Sequence, residues 1–189
     1  MFEERGYVET RIGDITAAAD VAHGTFYTYF SSKEEIFGEV ADDLQHQMLL
    51  VAEDEPHLPP GAALSERIER ANRGYLRAYR RNARMMGVLE QAAILDPEVR
   101  VIRLESRRYW VKRAEKNFRR WQDEGLMSPD VDPYYAANSL GGMVDRFALT
   151  WLVLGEPFEE EQAVTTLTQL YGRALGLPDP PQKSSAGPP

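Results

Sequence analysis

Cysteine is absent from the 189-residue chain, which excludes disulfides, thiol catalysis and cysteine-held metals and fits a reducing cytoplasm. Histidine is nearly as sparse. His23, His46 and His57 are scattered, and none falls in a zinc-binding spacing. Asp43 and His46 stand at helical spacing, half of what a di-iron bundle needs, but no second pair completes it, so His46 reads as a surface or packing residue. Phosphate-cradling glycine loops, nucleophile elbows and dinucleotide fingerprints are missing too. The expectation is a non-enzyme with no catalytic residue, no metal and no cofactor. No apolar run approaches membrane-spanning length, and Phe2-Glu3-Glu4-Arg5 puts charge where a signal peptide needs an apolar stretch. A soluble, cytoplasmic protein with no membrane partner is expected.

Positive charge is also scarce: 22 Lys and Arg against 30 Asp and Glu leave a net charge of -8, which opposes non-specific binding to polyanions. Up to residue 50 the only basic residues are Arg5, Arg11 and Lys33. Any nucleic-acid contact there has to rest on a few placed side chains.

What is present is a compact pattern from Ile12 to Phe37. Ile12, Ile15, Ala18 and Ala19 recur at helical spacing, with Thr10 as the expected N-cap. Asp20 breaks that helix and Val21 is expected as the buried residue of the turn. Gly24-Thr25-Phe26-Tyr27 forms a second short helix with Phe26 inward and His23, Thr25, Tyr27 and Thr28 outward. Ser32-Lys33-Glu34-Glu35 is a capping box that opens a third helix. Two short helices joined in this way are either an ordinary packing pair of an all-α protein or a helix-turn-helix, whose second helix enters the DNA major groove.

Phe2-x-x-x-Gly6-Tyr7-x-x-Thr10, Asp14-Ile15, Ala19-x-Val21, Gly24-Thr25-Phe26-Tyr27-x-Tyr29-Phe30 and Ser32-Lys33-Glu34-Glu35-Ile36-Phe37 together resemble the DNA-binding domain of TetR-type transcriptional regulators. The resemblance covers about the first fifth of the chain. It implies that His23 and Thr25 face base edges or nearby phosphates. Tyr27, Tyr29 and Lys33 would grip the DNA backbone, and Thr10 would touch a phosphate; Thr28 shares the outer face. The chain departs from the family pattern at Asp20, where glycine is usual, at Ala22, where a hydroxyl cap is usual, and at Gly13, where some relatives contact a base. The family also has a nearly complete first helix before Gly6. The resemblance thus implies a shortened first helix here, leaving Ile15, Ala19, Val21, Phe26 and Phe30 partly without cover and operator binding weakened.

Beyond the motif the periodicity predicts helices only. One runs from Lys33 to about Ala52, and Glu53 to Gly61 is a proline-rich loop. A helix over 62–81 carries Arg67, Arg70, Arg73, Arg77 and Arg80 on one face, interleaved with Glu66 and Glu69, and reads as a solvated surface rather than a nucleic-acid site. Helices over 82–95, 97–124, 133–154 and 159–175 follow, bounded by Asp96-Pro97, Gly125, Asp132-Pro133 and Gly155-Glu156-Pro157. Ala136, Ala137, Ser139, Gly141, Gly142 and Ala148 give the 133–154 helix small faces suited to close helix approach. The tail, 178–189, is low in complexity and expected to be disordered.

The fold expected is therefore all-α: a three-helix helix-turn-helix domain over 1–37 and a helical effector-binding and dimerisation domain over 38–177. The resemblance implies a repressor that holds a palindromic double-stranded operator as a homodimer and leaves it when a small hydrophobic effector binds. Candidate lining residues for that effector are Met86, Leu89, Tyr109, Trp110, Phe118, Phe147 and Trp151, with Arg113 to meet a carboxylate. The alternatives are a regulator-like protein acting through protein partners without DNA, and a helical-bundle enzyme.

Overall fold

The computed structural model describes residues 1–54, 56–59 and 61–177. The tail expected to be disordered lies outside them. The described residues form helices α1 (Phe2–Glu9), α2 (Ile12–Ala18), α3 (His23–Tyr29), α4 (Lys33–Glu53), α5 (Leu64–Arg81), α6 (Ala83–Leu95), α7 (Pro97–Asp123), α8 (Pro133–Leu152) and α9 (Glu160–Ala174), with no strand among them. None of these helices is long and apolar enough to cross a membrane.

Local chemistry fixes most of the boundaries. Ser32 Oγ accepts from the Glu35 N–H at 3.2 Å and starts α4. The Glu35 carboxylate turns to Ser31, taking its N–H at 2.5 Å and its hydroxyl at 2.6 Å, so the reciprocal half of the capping box sits one residue earlier than expected. Asp96 caps α7 ahead of Pro97 and Asp132 caps α8 ahead of Pro133, each carboxylate accepting two N–H groups of the first turn. Thr10 does not cap α2. It is fully buried and its hydroxyl donates to the Gly6 carbonyl at 2.6 Å, so the cap position falls to Arg11, whose N–H donates to Asp14.

Helix α4 packs on α5 and α7, α7 lies between α6 and α8, and α9 closes against α5. Phe37, Tyr79, Leu89, Val99, Phe118 and Leu175 are fully buried in a single core. The arginine face of α5 is partly solvated, but its charges are taken up within the chain. Arg73 binds Glu161 at 2.6 Å and Glu69 at 3.1 Å, and Arg80 binds Glu160 at 2.6 Å while lying 4.7 Å from the Trp151 ring centre. Arg70 and Arg77 donate to backbone carbonyls of Pro56 and Val51. The stripe is a dock: the acidic first turn of α9 on one side, the end of α4 and its loop on the other.

Candidate nucleic-acid interface and interior cavity

Helices α2 and α3 are joined by a turn in which Asp20 takes a left-handed backbone (φ 54°), the conformation that glycine or a short polar residue accepts at least cost. As the sequence implied, Ala22 provides no side-chain cap to α3. Phe26 is buried, 5.6 Å from the half-buried Phe30 ring, and anchors α3. Its other side chains point away: His23, Thr25, Tyr27, Thr28 and Tyr29 are all exposed, Tyr29 by 73%. The hydroxyls of Thr25, Tyr27, Thr28 and Tyr29 and the His23 imidazole have no hydrogen-bond partner among the described residues, although His23 stacks loosely on Tyr27. The outer face of α3 is thus a row of unengaged donors and rings.

Two sequence-predicted contacts are placed differently. Thr10, buried and bonded to Gly6, has no surface to offer a phosphate. Lys33 donates to the Tyr7 carbonyl at 3.0 Å and lies 4.2 Å from the Tyr7 ring centre, so its ammonium caps the end of α1 with spare protons for a phosphate. Val21, expected inside, is 43% exposed, and Ala19 is exposed as well. An open groove of about 520 Å³ runs along Ile15, Ala18 and Ala19 of α2 and Ile36, Val40 and Leu44 of α4. Helix α1, bent at Gly6 (φ 78°), borders that groove through Phe2 and Glu3 and covers Phe37, with Phe2 and Tyr7 at 4.9 and 4.8 Å between ring centres.

Tyr7 also joins the head to the rest. Its hydroxyl lies 2.9 Å from Glu34 Oε1 in α4 and 2.7 Å from Asp96 Oδ2, the N-cap of α7, so one proton serves two carboxylates. Burial, then these two bonds, push the Tyr7 hydroxyl far above its usual range.

A second feature lies inside the larger domain. A cavity of about 170 Å³ opens between α5, α7 and α8, walled by Ala71, Trp110, Val111, Ala114, Ala137 and Val144, with Asn72, Asn117 and, from α9, Tyr171 at polar points. At its charged wall Asp145 of α8 accepts from Tyr75 of α5 at 2.7 Å and from Arg103 of α7 at 2.9 Å, and Arg103 also binds Glu90 of α6. Four helices meet in that network. Burial, reinforced by Asp145, raises the Tyr75 hydroxyl well above its usual value, so it stays a proton donor.

Of the candidate effector residues, Trp110 and Arg113 line this cavity. Met86, Leu89 and Phe118 are buried in the core at 3%, 1% and 2% exposure and do not. Tyr109 points outward at 40% exposure, and Phe147 and Trp151 lie on another face of α8, Phe147 stacked on Phe158 at 4.6 Å. Arg103, Arg107, Tyr75 and Asp145 were missed. A signal existed: between Pro133 and Gly155 the only charged residues are Asp145 and Arg146, and a lone carboxylate in an apolar helix needs a buried partner.

Residues 1–40 match the family described as "Bacterial regulatory proteins, tetR family". The HTH-type transcriptional repressor DhaR of Mycobacterium sp. (strain GP1) is 33% identical over 149 residues, covering 74% of this chain and 71% of that protein. Among solved structures, a TetR-family regulator from Syntrophomonas wolfei str. Goettingen aligns over 94% of this chain and 90% of its own, with TM-score 0.76 and 22% identity. The transcriptional regulator FadR from Bacillus subtilis, in complex with stearoyl-CoA, aligns over 90% of this chain and 91% of its own, with TM-score 0.66 and 18% identity. These two likenesses carry the fold. The match of the head together with the extent and identity of the DhaR match carries the assignment: the chain belongs to the TetR family of bacterial transcriptional regulators.

Proposed function

We propose that this protein is a cytoplasmic repressor that occupies a palindromic operator as a homodimer and is released by a small effector bound in the cavity between α5, α7 and α8. It does no catalysis; residues 1–37 read DNA, and residues 38–177 bind the effector and dimerise. The observation that carries this reading is the outer face of α3, where His23, Thr25, Tyr27, Thr28 and Tyr29 are exposed and unengaged. A helix in the major groove needs donors, acceptors and rings free of other duties, while Lys33 at the start of α4 supplies a cation for the backbone.

Release follows from one chain of contacts. The cavity is walled by α7 through Arg103, Arg107 and Trp110. The N-cap of that helix, Asp96, holds Tyr7, and Tyr7 holds Glu34 and Lys33 at the entrance of α4. An effector that displaces α7 alters the seat of the head, and an effector with no preference between the two seats would not release it. FadR's complex with stearoyl-CoA supports a small-molecule effector, though not that ligand.

The rival reading, a regulator-like protein working through protein partners, draws on local charge. Of the three basic residues before position 50, Arg5 pairs with Asp14 at 2.8 Å and Lys33 caps Tyr7, which leaves Arg11. Selection of bound sequences from random duplex DNA separates the two. Enrichment of a palindrome supports the repressor; no enrichment at low salt, with the helices intact by circular dichroism, supports the rival.

A further inference from the structure

We propose that the cavity between α5, α7 and α8 takes a compact aromatic carboxylate, with Arg107 holding the anionic group. This rests on the reading of that cavity as the effector site. Size comes first: about 170 Å³ is close to the roughly 150 Å³ of an engineered apolar cavity that binds benzene. One ring with a short substituent fits. A long acyl chain or an acyl-CoA would leave most of its length outside that space.

Charge is the second argument. Asp145 is the only carboxylate on the wall, and it is already occupied by the Tyr75 hydroxyl at 2.7 Å and Arg103 at 2.9 Å. Arg103 has Glu90 as well, and Arg113 has Glu53 at 2.8 Å. Arg107 has less: one N–H to the Asn138 carbonyl at 3.0 Å and a contact of 3.7 Å with the shared Asp145. A guanidinium has five N–H donors and its planar edge matches a carboxylate in two parallel bonds. A neutral hydrocarbon leaves that charge as it is, whereas a carboxylate compensates it at a half-buried position.

Two further features belong to the same site. A Cβ at Gly142 would lie 2.8 Å from Arg107 Nη2, so glycine there is what lets the guanidinium reach its seat. Tyr171, 9% exposed, lines the cavity, and its hydroxyl has no hydrogen-bond partner among the described residues. It can meet a polar ring substituent.

The test is calorimetric titration of the full chain with benzoate, 4-hydroxybenzoate, the neutral isostere benzamide, laurate and lauroyl-CoA, on the native protein, Arg107→Gln and Gly141→Leu. The inference expects both benzoates to bind at least tenfold tighter than benzamide, Arg107→Gln to remove that preference, and Gly141→Leu, which projects into the cavity, to remove binding altogether. Benzamide binding as well as benzoate, or benzoate binding unchanged in Arg107→Gln, overturns it. So does binding of laurate or lauroyl-CoA alone, or of none of the five compounds. Operator binding by the ligand-free protein, followed in the same preparations by fluorescence anisotropy, tests the regulator reading separately, because it does not depend on which ligand fits.

Discussion

The Tyr7 hydroxyl lies 2.7 Å from Asp96 Oδ2, linking residues 89 positions apart in the chain. Asp96 spends its other oxygen on the first turn of α7, accepting from the Glu98 and Val99 N–H groups. The cap of the helix that walls the cavity and the helix that opens the DNA-reading head therefore share one side chain. Against burial, the hydrogen bonds from Tyr7 and the α7 N–H groups hold Asp96 below the ordinary aspartate value, with a smaller contribution from the Lys33 charge, whose ammonium faces the Tyr7 ring.

Tyr7→Phe is expected to destabilise the chain by about 1–2 kcal/mol, since the ring packing on Phe37 survives while two carboxylates lose their shared donor. The pH dependence has a definite sign. Burial is the largest influence on Glu34 and on Asp96 and pushes both upward, but the hydrogen bonds they accept, Tyr7's among them, outweigh it and leave both lowered. Lowered carboxylates give stability that is present above their unfolded values, near about 4, and lost as pH falls through the folded ones. Urea denaturation between pH 6 and pH 3 should therefore show a shallower acid-side loss in Tyr7→Phe than in the native chain.

On the outer face of α3, Tyr27→Phe and Tyr29→Phe should each weaken operator binding by about 1 kcal/mol, roughly fivefold, without changing thermal stability, because both hydroxyls are unengaged in the free protein. Thr25→Ala and His23→Ala should shift sequence preference as well as affinity. Lys33→Ala should lower the salt dependence by about one charge and also cost some stability through the lost bond to Tyr7. Anisotropy titrations at several salt concentrations separate these effects. An unchanged salt slope in Lys33→Ala would mean that its ammonium stays on α1 in the complex.

The helices, the caps at Ser32, Asp96 and Asp132 and the α3 motif were legible in the sequence because their signals are local, whereas Thr10 and Val21 were misplaced because their surroundings are set by how α1 and α2 pack. Asp96-Pro97, Asp132-Pro133 and Ser32 each act within one turn, and the α3 motif is contiguous. The cavity was not legible, for a physical reason: Met86, Leu89 and Phe118 have the same spacing and chemistry whether they pack in a core or wall a space. Which it is depends on how α5, α7 and α8 meet. The role of the arginine face of α5 as a dock was hidden for the same reason, since its partners Glu161 and Glu160 lie 88 and 80 positions away in α9.

The proposed dimer follows the same distinction between buried and free faces. We expect the pairing surface on α8 and α9, where Tyr135 and Leu170 are 71% and 46% exposed. Leu170→Glu should then yield a folded monomer by sedimentation. Leu167, though on the same helix, is 2% exposed, and Leu167→Glu should unfold the protomer, because an unpaired carboxylate in the core costs several kcal/mol. A dimer persisting in Leu170→Glu would move the interface elsewhere.

The adjacent glycines of α8 should respond in opposite ways to one methyl group. Small residues there were expected to let helices approach closely, but a Cβ at Gly141 meets no atom within 4 Å and faces the cavity. Glycine costs about 1 kcal/mol relative to alanine inside a helix, so Gly141→Ala should raise stability by up to that amount while taking volume from the ligand space. At Gly142 the same methyl would sit 2.8 Å from Arg107 Nη2. The guanidinium has to move, giving up its bond to the Asn138 carbonyl, which offsets the gain in helix propensity. Gly142→Ala should be neutral or destabilising by about 1 kcal/mol. Thermal melts of the two variants beside the native chain decide this: an equal rise in both would mean that Arg107 shifts without loss, and a fall in Gly141→Ala would mean that the cavity is closed by a neighbour in the dimer.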